Sequence, residues 1–103
     1  MDEEMRGSFA SVEKNIRECI VDEKLRAVAL MINDMAAGTV ELTMAGMCDP
    51  MIAEHALGHS NAMISVIVGI DHGIDIEDLR ASNRIALSEA LNMFSGKDRK
   101  SVV

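Results

Sequence analysis

The sequence has no tryptophan or tyrosine, only two phenylalanines and a single proline among its 103 residues. A core without large rings must be built from Ala, Ile, Leu, Val and the nine methionines. Methionine fills irregular gaps in cores and also forms surfaces that adapt to partners. Because a chain of this length holds one small core, we expect a single helical domain at residues 8–96 between flexible ends at 1–7 and 97–103.

Basic residues are also scarce. Ten Lys and Arg stand against seventeen Asp and Glu, which gives a net charge of −7. Proteins that bind nucleic acid need clustered basic residues to displace counterions from the phosphates, and anionic membranes attract the same clusters. The charge balance therefore predicts an acidic protein that binds neither nucleic acid nor a membrane surface.

Long apolar runs are missing as well. The longest run, residues 62–70, has nine residues, about half of the ~20 that a membrane-spanning helix needs. The acidic opening MDEEMRGS is followed by no apolar segment of the kind found in secretory signals. We therefore expect a soluble cytoplasmic protein.

Two cysteines are present, and they do not form a C-x-x-C pair. The spacing of Cys19 and Cys48 thus predicts reduced thiols and neither a zinc knuckle nor a redox motif, with Cys19 on an apolar helix stripe. The chain also lacks the glycine-rich loops of nucleotide-binding proteins and the G-x-S-x-G elbow of hydrolases. No catalytic motif is readable.

Apolar residues recur at helical spacing through the first third of the chain. One stripe follows Ser8 and comprises Phe9, Val12, Ile16, Cys19 and Ile20. A second stripe comprises Leu25, Val28, Ile32 and Met35. The carboxylate of Asp22 is placed to cap this second helix, and residues 36–38, Ala-Ala-Gly, are expected to end it.

Two segments are ambiguous between helix and strand. Apolar residues alternate in 40–46, and 63–70 is rich in β-branched side chains, which suit a buried strand as well as a buried helix. If both were strands, the chain would be a small α/β protein. The predicted fold is instead an all-α compact bundle of four to six helices, with α/β as the alternative.

The clearest helix is predicted at residues 76–95. Asp75 stands at its N-cap, Ile74 and Leu79 have the spacing of a hydrophobic staple, and Gly96 is the expected stop. The helix would be long and would place Asn83 within its apolar face. A buried asparagine needs a partner and often fixes the register of helical assemblies. The predicted apolar face comprises Ile76, Leu79, Ala86, Leu87, Ala90, Leu91 and Phe94.

The stretch CDPMIAEHALGHSNAM, residues 48–63, is the nearest approach to a chemical motif. Asp49 and the proline after it predict a capped helix start. His55 and His59 are four residues apart, so they share a helix face and have the spacing to hold one Zn, Ni or Fe ion. Further ligands would have to come from Asp71 and His72 folded back on this face, or from a second chain. The other interpretation is an ordinary helix whose histidines face water or a partner.

The same stretch distantly resembles the phosphate-accepting segment of histidine phosphotransfer domains, which are acidic helical bundles. His55, Ala56 and Leu57 match the first three positions of that motif. Gly58 stands where those domains have lysine, and His59 stands where they have glycine. The resemblance implies phosphorylation of His55.

Taken with the missing catalytic motifs, the amphipathic helices favour a protein that acts by association. A short chain with few aromatics and a mean hydropathy of +0.13 has apolar surface that one copy is not expected to bury fully. We therefore expect a homo-oligomer or an accessory subunit of a complex. Divalent-metal binding through His55 and His59 is the alternative function.

Overall fold

The computed structural model describes residues 3–94, with side chains from residue 7 onward. Five helices make up this part of the chain: α1 (Glu3–Cys19), α2 (Glu23–Met44), α3 (Pro50–Asp71), α4 (Ile76–Ser82) and α5 (Arg84–Phe94). No strand is present between residues 3 and 94. The all-α prediction is confirmed, and the α/β alternative is not supported because both ambiguous segments are largely helical.

The first helix begins earlier than the sequence indicated. The apolar stripe follows Ser8, but α1 already includes residues 3–7. Residues 1–2 and 95–103 lie outside the described residues, and with them the predicted tail and the expected stop at Gly96. Cys19 ends α1 with an exposed side chain, so its predicted place on the apolar stripe is wrong, whereas Ile16 and Ile20 are buried.

The second helix is longer than predicted. Asp22 caps it as expected, with its carboxylate accepting the N–H of Leu25 at 3.0 Å. Residues 36–38 do not end it. Glycine within a helix costs only about 1 kcal/mol relative to alanine, and burial of Ala36 and Val40 on either side of Gly38 outweighs that cost. Buried Asn33, which sequence reasoning passed over, donates from Nδ2 to the carbonyl oxygen of Phe9 at 3.1 Å and so ties α2 to α1.

The central element is α3, which packs against α2, α4 and α5. Its β-branched residues Val66 and Ile67 are buried, so packing decides in favour of helix over strand at this segment. Gly69 allows α4 to approach closely, since a Cβ there would lie 2.8 Å from Leu79 Cδ2. The largest fully buried side chains are Ile20, Ile67 and Leu87.

The predicted single C-terminal helix is two helices. Asn83 has φ −158° and ψ 86°, which is not helical, and its Oδ1 accepts the N–H of Ala86 at 3.0 Å. Its side chain therefore caps α5. The prediction of a buried Asn83 is wrong, because the residue is exposed at the break and its side-chain oxygen is hydrogen-bonded three residues away. Ile85, the second residue of α5, is exposed.

No helix within residues 3–94 combines the length and the hydropathy that crossing a bilayer requires.

Candidate functional site

The histidine stretch forms the first half of α3, as its capping residues predicted. The Asp49 carboxylate accepts the N–H of Met51 at 2.8 Å. Pro50 occupies the first turn, where a backbone N–H has no acceptor within the helix, so its lack of an N–H costs no hydrogen bond. The helix then runs without interruption to Asp71. Both histidines are thus held on a regular, well-capped helix.

His55 and His59 lie one turn apart on the same side of α3, as their spacing predicted. His55 is exposed and His59 is half-buried. They line a cavity of about 510 Å³, here called the histidine groove, which α3 forms with the start of α5. Its other lining residues are Met51, Glu54, Gly58, Ala62, Asn83 and Ile85.

Asp71 and His72 are at the opposite end of α3. Since the helix rises ~1.5 Å per residue, Asp71 lies about 18 Å from His59 along the axis. The fold-back that a metal site within one chain would need does not occur, because α3 continues through the segment that would have had to turn. Among the described residues, no group of three or more His, Cys, Asp and Glu side chains is arranged to hold a metal ion.

The Asp71 carboxylate is committed to the turn between α1 and α2. Its two oxygens accept the backbone N–H groups of Val21 and Asp22, each at 3.0 Å, and the side chain is only 4% exposed. These two hydrogen bonds, with smaller contributions from His72 and Arg26, lower the pKa of Asp71 against the opposing effect of desolvation. Asp71 therefore has a structural role, because it holds the α1–α2 turn against the end of α3.

His72 is exposed but also contacts α1. Its Nε2 lies 3.1 Å from the carbonyl oxygen of Cys19, which can only accept a hydrogen bond, so Nε2 carries the proton. Its ring is also 4.0 Å from Asp71 Oδ2. Together the two residues join the end of α3 to the end of α1.

His55 also occupies the position that the phosphotransfer resemblance singled out. The side chain is exposed on the helix, as an accepting histidine must be. No lysine or arginine lines the histidine groove among the residues that the structure describes. The cation that stabilises a phosphoryl group therefore has no counterpart in the described part of this groove.

A second cavity adjoins the first and was not anticipated. This methionine groove, about 420 Å³, lies over α3 between α2 and α5. Four methionines line it, and His59 belongs to both cavities. The lining residues are Met31, Ile32, Met35, Ala56, His59, Ser60, Met63, Glu89 and Met93.

The methionine groove includes residues whose exposure helical periodicity does not predict. Met35 belongs to the predicted apolar stripe of α2, yet it is 61% exposed, and Met31 is 45% exposed. The four-residue spacing of these two methionines was the available signal, because it places both on one face of α2.

A scan against protein-family models and searches of curated proteins and solved structures find no match for this chain.

Proposed function

We propose that this protein functions by binding another polypeptide, as a homo-oligomer or as a subunit of a complex. The binding surface in this proposal is the combined lining of the histidine and methionine grooves, here called the His59 surface. One observation carries the proposal: exposed apolar side chains from three different helices converge on this surface.

The exposed side chains are Met31, Met35, Met51 and Ile85, which are 45%, 61%, 71% and 68% exposed. A single exposed apolar residue is ordinary on a protein surface. Several that line two adjoining grooves form a larger apolar patch, and such patches are typical of interaction sites. Fully burying one side chain of this kind contributes about 1.5–3 kcal/mol, so a partner that covered all four would gain substantial binding free energy.

The packing of the helices supports the same proposal. Both α2 and α5 pack on α3, and much less on each other. They therefore leave the first half of α3 accessible between them, with buried Met63 at the floor of the methionine groove. A helix or loop of another chain would complete the layer that α2 and α5 leave open.

Divalent-metal binding is the second candidate function. It is favoured by the position of His55 and His59 on one wall of the histidine groove. Two neighbouring imidazoles supply half of a tetrahedral zinc site, and a second copy of the chain would have to supply the other half. This candidate thus depends on self-association.

The proposal is tested by the size of the protein. Light scattering over a micromolar dilution series distinguishes the 11.2 kDa monomer from a homo-oligomer. Gel filtration of a gentle extract from the source cells, with immunodetection, gives the size of the endogenous chain. Elution above the monomer mass is expected, and the double variant Met31→Gln/Met35→Gln should return it to monomer size. An endogenous chain that elutes as a free monomer would contradict the proposal.

A further inference from the structure

The length of the His59 surface fits a helix. Along α3 it extends from Met51 to Met63, which is about 18 Å at 1.5 Å per residue. That length corresponds to about three turns of an α-helix. Amphipathic helices that bind in grooves do so through apolar residues spaced at i, i+3 or i+4, and i+7. These positions span about 10.5 Å, or two turns, so the surface is long enough to contact all of them.

The lining of the methionine groove can accommodate apolar side chains of different shapes on a bound polypeptide. Of the residues around the methionine groove, Met31 and Met35 form one wall, Met63 the floor and Met93 the opposite side. The unbranched thioether side chain adopts many conformations at little cost, so methionine surfaces accommodate apolar residues of different shapes.

The charges around the surface determine which amphipathic helix fits. Glu54 lines the histidine groove and Glu89 lines the methionine groove. In the part of the chain whose side chains the structure describes, no lysine or arginine lines either groove. A ligand with basic residues beside its apolar ones would place positive charge against these carboxylates.

A second copy of this chain is a poorer match. It carries the same net charge of −7 and the same two glutamates. Docking one His59 surface on another would bring like charges together in a partly desolvated contact, which is unfavourable.

We propose that the His59 surface binds an amphipathic helix of a partner protein whose polar face carries lysine and arginine. This inference rests on the proposed function and specifies the chemistry of the partner.

The test uses a synthetic peptide of about 18 residues, with leucine at i, i+3, i+4 and i+7 and lysine at most other positions. A second peptide carries glutamate in place of every lysine. Binding of each to the full chain is measured by isothermal titration calorimetry at low and at physiological salt. The basic peptide should bind, more weakly as salt rises, and the acidic peptide should not.

Four variants locate the binding site. Met31→Gln/Met35→Gln should weaken binding at least about tenfold, as expected for loss of central apolar contacts. Val21→Gln is the matched control, since Val21 is 81% exposed and lies beside Asp71, at the other end of α3. Glu89→Lys should weaken binding more than Glu18→Lys, which changes the net charge equally from an exposed position on α1. Far-ultraviolet circular dichroism verifies that each variant remains folded.

The outcomes separate the inference from the proposed function. Equal binding of the two peptides, no binding of the basic peptide, or unchanged binding by Met31→Gln/Met35→Gln would overturn the inference. A homodimer that Met31→Gln/Met35→Gln dissociates and that the basic peptide fails to displace would also overturn it, because a second copy would then occupy the surface. The proposed function would survive that last result.

Discussion

The carboxylate of Asp71, the last residue of α3, accepts the backbone N–H of Val21 at 3.0 Å although the two residues are fifty positions apart. Its other oxygen accepts the N–H of Asp22 at the same distance. Both N–H groups lie at the turn before α2, where the backbone has no helical acceptor. One side chain therefore fixes the α1–α2 turn against the end of the central helix.

Replacing Asp71 by asparagine should destabilise the protein. The amide retains one acceptor oxygen but presents an NH₂ group to the second backbone N–H, which is then left without an acceptor. Urea denaturation at neutral pH should give a lower midpoint for Asp71→Asn than for the wild type. The matched control is Asp34→Asn at an exposed position on α2, and equal midpoints for the two variants would contradict the structural role of Asp71.

The contribution of Asp71 should also depend on pH. The N–H groups of Val21 and Asp22 lower the pKa of this carboxyl below its ordinary value of 3.8. A carboxyl whose pKa is lower in the folded state stabilises that state above the unfolded-state value, and the contribution is lost as pH falls through the folded-state value. The difference in urea midpoint between wild type and Asp71→Asn should therefore be constant near neutrality and shrink below pH 3.8.

The core should be sensitive at Leu87 and tolerant at Leu91. Leu87 is 1% exposed and Leu91 is 39% exposed, although both lie on α5. Truncation of a buried leucine to alanine removes its burial and leaves a cavity, at a cost of about 2–5 kcal/mol. Leu87→Ala should lose that much unfolding free energy, and Leu91→Ala should lose about half of it or less. Similar losses for both variants would show that α5 is rotated about its axis.

The break between α4 and α5 should depend on the cap that Asn83 provides. Asn83→Ala removes the acceptor for the N–H of Ala86 and should cost about 1 kcal/mol of unfolding free energy. Asn83→Ser should retain most of the stability, because serine is also a good N-cap. If alanine and serine had equal effects, or if alanine stabilised the protein by joining the two helices, this account of the break would be wrong.

The sequence was informative where the physical signal was local. Asp22, Asp49 and Asp75 were each identified as N-caps, and each accepts a backbone N–H from the first turn of its helix. Capping depends on residues two or three positions apart, so a single sequence contains the necessary information.

Signals that depend on tertiary contacts were not readable. Gly38 looked like a helix end, because the burial of its neighbours against other helices cannot be seen in the sequence. Asn83 lay on the apolar face of a projected helix, but its capping bond breaks that helix and removes it from the face. Asn33 was overlooked because its partner, the carbonyl of Phe9, is a backbone group on another helix.

The candidate site was predicted in part. The shared face of His55 and His59 follows from helical periodicity. The distance of Asp71 from them follows from the length of α3. The sequence does not predict that length, because residues 63–70 suit a strand as well as a helix. The methionine groove depends on how α2 and α5 flank α3. A single amino-acid sequence does not reveal how its helices pack against one another.

We expect metal ions to leave the stability of the protein unchanged. Among the described residues, His55 and His59 have no further ligand arranged beside them, and a closed zinc site needs four. A ligand held at a hundred times its dissociation constant adds about 2.7 kcal/mol to the unfolding free energy. Thermal unfolding of metal-stripped, untagged protein with Zn²⁺, Ni²⁺ or Fe²⁺ should show no stoichiometric increase in Tm.

The matched variants are His55→Ala and His59→Ala, which should behave like the wild type in the same titration. An increase in Tm that saturates at one ion for each pair of chains, and that either variant abolishes, would establish the metal-bridged dimer instead.

The most direct test of the central claim is site-specific photo-cross-linking in the source cells. A photoreactive amino acid replaces Met35 on the His59 surface. In the control it replaces Val21, an exposed apolar residue of the α1–α2 turn that lies beside the far end of α3. Position 35 should give an adduct of one discrete mass, which Ile85→Gln on the opposite wall of the surface weakens, and position 21 should not give that adduct. The same adducts from both positions, or none from position 35, would contradict the claim that the His59 surface binds another polypeptide.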